Sequence, residues 1–210
     1  MANFITIFRI FIAFIAIYLL FVGNFYGCVW AFGLTALAFA LDGVDGYVAR
    51  KFNESSKLGA MLDIMSDRIV ENAFWITFAT LGWLPIAFPL IALTRGFITD
   101  GLRSVGMEQG YTAFGTTSMQ DSNLGHFICC SKFSRAAYAV SKLVAFLFMI
   151  LAHIPGIKAN LADSFGIFAI IFAIIAMEFC VIRGLPVLFA SKKFFVPVEE
   201  KNVVCQTCNV

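Results

Sequence analysis

The sequence predicts an all-α integral membrane protein with about six transmembrane helices. Three observations carry that expectation. The 210 residues are 60% hydrophobic and only 13% charged, with 25 Phe and a mean hydropathy of +0.88, outside the range of an ordinary soluble domain. Apolar runs recur at close to the ~20 residues that a helix needs to cross a bilayer. Short stretches of turn chemistry separate them.

The first run, 4–22, lacks the basic flank and small-residue cleavage site of a signal peptide and holds Arg9 inside it, so a retained first span is expected. "VGNFYG" closes it. The second run, 26–49, ends in "RKFNESSKLG", and the third, 61–81, ends in "GWLP". The fourth, 84–105, leads into the longest polar stretch, "GMEQGYTAFGTTSMQDSNLGHF", whose Gly, Ser, Thr and Asn content reads as a loop or partly ordered cap. The fifth, 132–154, is followed by "HIPGIKANLADS" and the sixth run, 164–184. Residues 1–190 then form one membrane unit, with 191–210 as a short tail, and no internal repeat is visible.

Basic residues fall mostly on one side of this topology. Arg50, Lys51 and Lys57 lie between spans two and three, Arg103, Lys132 and Arg135 flank the long loop, and Lys192, Lys193 and Lys201 follow span six, against Lys158 opposite. The positive-inside rule puts those loops and both termini on the cytoplasmic side. A net charge of +2, with no basic run, excludes a nucleic-acid binder.

The segment "LDGVDGYVARKFNESSKLGAMLDIMSDR", 41–68, is at odds with its greasy surroundings because it holds four aspartates. A charge at the bilayer centre costs about 2.5–3.5 kcal/mol on insertion scales. Asp42 and Asp45 are three residues apart near the end of span two, and Asp63 and Asp67 four apart at the start of span three. On helices those spacings put each pair on one face. Two antiparallel neighbours joined by a short loop would bring both pairs to one depth, as a four-carboxylate cavity. With only oxygen ligands on offer, Mg²⁺ or Mn²⁺ is favoured over zinc, and Mg²⁺ in such sites usually also binds substrate phosphate. The competing reading makes the aspartates structural partners of Arg50 and Arg68, but two arginines leave two carboxylates unmatched. Gly43, Gly46 and Ala49 leave space beside the carboxylates, and Gly59 permits close backbone approach.

Asp42, Asp45, Gly46, Ala49, Arg50, Gly59, Asp63 and Asp67 together resemble the signature of the CDP-alcohol phosphatidyltransferases: Asp, two residues, Asp-Gly, two, Ala-Arg, eight, Gly, three, Asp, three, Asp. The resemblance covers spans one to six and not the tail. It implies a multi-pass enzyme of phospholipid biosynthesis that moves a phosphatidyl group from CDP-diacylglycerol to a small alcohol and releases CMP. By similarity, Asp42, Asp45, Asp63 and Asp67 would hold Mg²⁺ or Mn²⁺ against the pyrophosphate, with Asp63 and Asp67 catalytic and Asp67 the base for the acceptor hydroxyl. Asp42, Asp45, Gly46, Ala49, Arg50 and Gly59 would border the CDP group. A homodimer is expected on the same resemblance.

The acceptor is read from the remaining cations. Arg95, Arg103, Lys132 and Arg135 would suit an acceptor phosphate, because Arg and Lys clamp phosphate oxygens. "NFITIFRIFIAF" and "LTRGFITDGLR" resemble the phosphatidylglycerophosphate synthase branch, with "SKFSR" a looser match, whereas "SDR" at 66–68 is closer to the inositol phosphate branch. Glycerol 3-phosphate is the expected acceptor, with inositol phosphate, inositol or serine as alternatives. A carboxylate-lined transporter is the rival of another class, but it would not need the Gly, Ala and Arg of the signature. An intramembrane prenyltransferase would need about nine spans.

Cys28, Cys129, Cys130 and Cys180 read as apolar filler, and Cys205 and Cys208 as a single CxxC, half a zinc site at best. His126 and His153 are lone histidines with no assigned role.

Overall fold

The computed structural model describes residues 2–51, 57–108 and 132–191. Among them are six helices: α1 (Ala2–Val22), α2 (Phe25–Lys51), α3 (Lys57–Thr80), α4 (Ala87–Glu108), α5 (Lys132–Ala152) and α6 (Ala159–Ala190). Every predicted apolar run contains one of these helices, although 84–86 and 153–154 fall in the turns beside α4 and α5. The most polar part of the long loop, 109–131, and the tail from 192 onward lie outside the described residues, as do Cys129, Cys130, His126, Cys205 and Cys208.

Turn chemistry accounts for the helix ends. Gly23 at φ 67° closes α1, and the Asn24 side chain then accepts the Gly27 backbone N–H, capping α2. Gly82 at φ 75° ends α3, and Trp83 N–H bonds back to the Phe78 carbonyl at 2.9 Å. Gly156 at φ 89° follows Pro155 in the α5–α6 turn. Positive φ at these three places favours glycine.

α6 is longer than its apolar run: it spans 159–190 where hydropathy suggested 164–184. The helix takes in Asp163 at one end and runs on through Gly184 and Pro186 at the other, residues that ordinarily mark a stop. Among the described residues, three segments are long and apolar enough to cross a membrane by themselves: Phe25–Asp42, Ser134–Ala152 and Ala159–Phe189, with Thr6–Val22 as a shorter apolar stretch. α3 and α4 fall short because Asp63, Asp67, Arg68, Glu71, Arg95 and Asp100 occupy part of their length.

Packing contacts run in a closed circuit, from α1 to α2, α5, α6, α4, α3 and back to α1. The first five helices are zoned along their axes, and the zoning alternates with chain direction. α1, α3 and α5 begin polar and finish apolar, whereas α2 and α4 do the reverse, so the charged halves of these five gather at one end of the bundle, and α6 adds the buried Arg183 from its second half. The other end holds an aromatic core in which Phe146 lies 4.7 Å from Trp75, 5.3 Å from Phe78 and 5.4 Å from Phe74, ring centre to ring centre. Trp83 stacks on His153 at 4.1 Å beyond it, which gives that histidine a packing role. Cys28 and Cys180 are buried free thiols, as filler should be. Phe11, Tyr18 and Phe97 point outward, as helices solvated by lipid allow.

Candidate active site

The site is built where α1, α2, α3 and α5 bring their polar halves together. Asp42 projects from α2 and forms an ion pair with Arg9 of α1, which is almost wholly buried. The other terminal nitrogen of Arg9 donates to Ser66 Oγ on α3 at 2.7 Å, and Ser66 Oγ donates to the Asp63 carbonyl at 2.9 Å. One arginine thus bridges the two aspartate-bearing helices.

Asp67 lies one turn beyond Asp63. Its Oδ1 is 3.5 Å from Nζ of Lys142 on α5. The same ammonium is 3.1 Å from Glu71 Oε2, and Glu71 also accepts a hydrogen bond from the Tyr138 hydroxyl. Arg68 reaches Glu71 at 3.8 Å and Asp100 of α4 at 3.3 Å.

Asp42 and Asp67 therefore each have a protein cation from outside the motif. Arg9 and Lys142 face Asp42 and Asp67, while Arg68, weighed above as a partner for them, is engaged with Glu71 and Asp100. Arg9 and Lys142 thus join the two arginines set against the four carboxylates, while the Arg50 and Asp45 side chains lie outside the described residues. Even so, the Asp42 and Asp67 side chains remain 38% and 42% exposed, so each keeps carboxylate surface open beside its ion pair.

Whether these residues suit a divalent cation turns on donor chemistry. Asp42, Asp63 and Asp67 offer hard oxygens, and two of them keep open surface, which fits Mg²⁺ or Mn²⁺. Among the described residues no group of three or more acidic, His or Cys side chains is gathered closely enough to form a complete ligand set. The side chains of Asp45, Gly46, Ala49 and Arg50 lie outside the described residues, although their backbone is helical, and Gly59 is half-buried on the first turn of α3.

The cations assigned to the acceptor are spread over two helices. Arg95 sits mid-α4 beside a groove of about 350 Å³ between α4 and α6, lined among others by Leu90, Ile98, Gly184 and Leu188. Its Nε and Nη1 are buried without a hydrogen-bond partner among the described residues. Gly184 makes that position accessible, since a Cβ there would stand 3.1 Å from Arg95 Cγ and 3.4 Å from its Nε. Arg135 is half-buried on the first turn of α5, and the side chains of Arg103 and Lys132 lie outside the described residues.

Four buried groups were missed by reading the sequence: Glu71, Tyr138, Lys142 and Arg183, the last with its guanidinium 5.6 Å from the Tyr138 ring centre. Arg9 was noticed as a charge within a span and as part of "NFITIFRIFIAF", but not as a partner of Asp42. Helical spacing was the available signal. Glu71 is four residues beyond Asp67, and Lys142 seven beyond Arg135, each on the face already marked by a charge.

A profile of the CDP-alcohol phosphatidyltransferases matches residues 1–182. The chain belongs to the CDP-alcohol phosphatidyltransferase family. That family has a membrane fold and is typically metal-dependent, in keeping with the apolar helices and oxygen-donor residues described above. Among individual relatives, the chain is 27% identical over 125 residues to the CDP-diacylglycerol–glycerol-3-phosphate 3-phosphatidyltransferase of Mycoplasma genitalium, covering 51% of this chain and 53% of that protein. The enzyme of the same name from Bacillus subtilis is 33% identical over 72 residues, 34% of this chain and 37% of its own. The phosphatidylinositol phosphate synthase of Corynebacterium glutamicum is 31% identical over 94 residues, 41% of this chain and 43% of its own. The matches span about half the length of the curated relatives or less.

Proposed function

We propose that this family member transfers a phosphatidyl group from CDP-diacylglycerol to glycerol 3-phosphate, releasing CMP. The observation that carries the reading is the pair of aspartates, Asp42 and Asp67, each braced by a buried cation yet open on one side. Such a face suits a divalent cation and a pyrophosphate. Support for the acceptor comes from relatives named for glycerol 3-phosphate and from Arg95, whose unpartnered nitrogens suit a phosphate.

Asp42, Asp45, Asp63 and Asp67 would hold Mg²⁺ or Mn²⁺, which when bound supplies Lewis-acid polarisation of the phosphoryl group and stabilises the leaving phosphate. In the reaction the acceptor oxygen bonds to the phosphatidyl phosphorus and the anhydride bond to CMP breaks. Asp67 takes the hydroxyl proton at hydrogen-bond range. Gly46, Ala49, Arg50 and Gly59 border the cytidine side, and Arg95, Arg103, Lys132 and Arg135 the acceptor side. The six helices act as six spans, with both termini and the site facing the cytoplasm, residues 1–190 as the catalytic unit and the protein as a homodimer.

A second acceptor, inositol phosphate, is favoured by the Ser-Asp-Arg at 66–68 and the Corynebacterium relative. One CMP-release assay decides between them. Protein given CDP-diacylglycerol with glycerol 3-phosphate, inositol 1-phosphate, inositol or serine should release most CMP with glycerol 3-phosphate, and none in excess chelator. A preference for an uncharged alcohol rules out the acceptor assignment. A carboxylate-lined transporter would release no CMP with any of them.

Acceptor and donor residues lie on different helices, so their effects should separate. Arg95→Ala and Arg103→Ala should each weaken acceptor use by about 10-fold or more, the loss of a charge-assisted bond of roughly 1.5–3 kcal/mol, with little change in the donor constant. Arg95→Lys should also impair it, since lysine lacks the two-pronged fork. Equal increases in both constants would make these arginines props of the whole cavity.

A further inference from the structure

Lys142 is placed unusually for a lysine in a membrane helix. It is 2% exposed, its ammonium 5.2 Å and 5.5 Å from the ring centres of Tyr138 and Phe39, and it faces two carboxylates of different character. Glu71, also 2% exposed, is closed off by Tyr138, Arg68 and Lys142 itself. Asp67 is open to the site. The ammonium lies nearer the closed partner, at 3.1 Å against 3.5 Å.

We propose that Glu71 is a positioning residue that holds the Lys142 ammonium back from Asp67, and so sets how strongly Asp67 is available to a divalent cation. The inference rests on the metal reading above. A lysine ammonium has three donors on a flexible stem, so it divides itself between two anions according to their relative pull. Within a low-dielectric interior that division is strong, because each attraction is several-fold larger than in water. With Glu71 neutral, Lys142 is drawn onto Asp67 and occupies the charge a metal would use. With Lys142 neutral, Asp67 keeps its full charge. Glu71 then still has Tyr138 and Arg68 as partners, and without Glu71's charge Arg68 still has Asp100, so neither change strands a buried ion.

The two substitutions should therefore act in opposite directions, which a pair serving only as structural glue would not do. The test is Mn²⁺ binding to the full-length detergent-solubilised protein without substrate, read from the electron paramagnetic resonance signal of free Mn²⁺, with thermal midpoints alongside. Glu71→Gln should weaken Mn²⁺ binding by about 10-fold or more, the usual scale for residues behind a metal ligand, and Lys142→Met should tighten it. The double variant Glu71→Gln/Lys142→Met should bind like Lys142→Met, and it carries the test if the single lysine variant does not fold. Shifts in the same direction, or an unchanged Mn²⁺ constant in Glu71→Gln, overturn the proposal while leaving the metal site standing. Wild-type protein whose Mn²⁺ binding is absent, or is unaffected by Asp63→Asn, removes the metal reading itself and this inference with it.

Discussion

Asp67→Asn is expected to lower CMP release by about 10²–10⁴-fold, the contribution of a positioned general base, while the thermal midpoint stays close to that of the wild type. The separation follows from the surroundings of the side chain. Asp67 is 42% exposed, so its amide counterpart is not forced into an unsolvated place. The cation it leaves behind keeps a second partner, Glu71, at 3.1 Å. Activity above a tenth of wild type in the purified variant would take the base role away from Asp67.

The second large effect lies at the other end of the bundle and concerns stability alone. Phe146→Ala is expected to cost about 3–5 kcal/mol, the range for a large aromatic removed from a packed core. The Phe146 ring is fully buried and is ringed by Phe39, Phe74, Trp75 and Phe78, from four sides at 4.7–5.7 Å. Those partners belong to α2 and α3, so a void there loosens the contact of α5 with two helices at once. Thermal unfolding in detergent should show the midpoint falling by roughly 10 °C. Ile76→Ala, on the same helix as three of these rings but facing outward at 44% exposure, should change it little. If the two variants lose stability equally, the aromatic cluster is not the bundle's core.

Most of the fold was legible because a membrane enforces one local solution. Each apolar run near span length must satisfy its own backbone, and a helix does so without regard to neighbours. The predicted end at 184 stands just before Leu185-Pro186, and the helix overrides that stop signal by continuing through Pro186 to Ala190. At the candidate site, the spacing of Asp42, Asp63 and Asp67 was readable from the chain because helical periodicity is local. Their counter-ions were not. Arg9 and Lys142 stand 33 and 75 residues from the aspartates they face, and only the closed circuit of helices brings them there. An isolated lysine in the run "AVSKLVAF" carries no local mark of a partner on another helix.

The approach of Arg95 to Gly184 places a charge under the control of an uncharged residue. Hydrogen bonds ordinarily fix where a guanidinium points, yet Nε and Nη1 of Arg95 have none among the described residues. The contour of α6 does that work instead: the bare backbone at 184 leaves a notch in which the arginine stem lies. The direction of the positive charge is thus encoded as shape, one helix away from the residue that bears it. A methyl group at 184 would leave every charge in the protein in place and still push the arginine stem aside by a few tenths of an ångström. On the proposed role of Arg95 toward an acceptor phosphate, selectivity would accordingly drift through changes that no charge count registers.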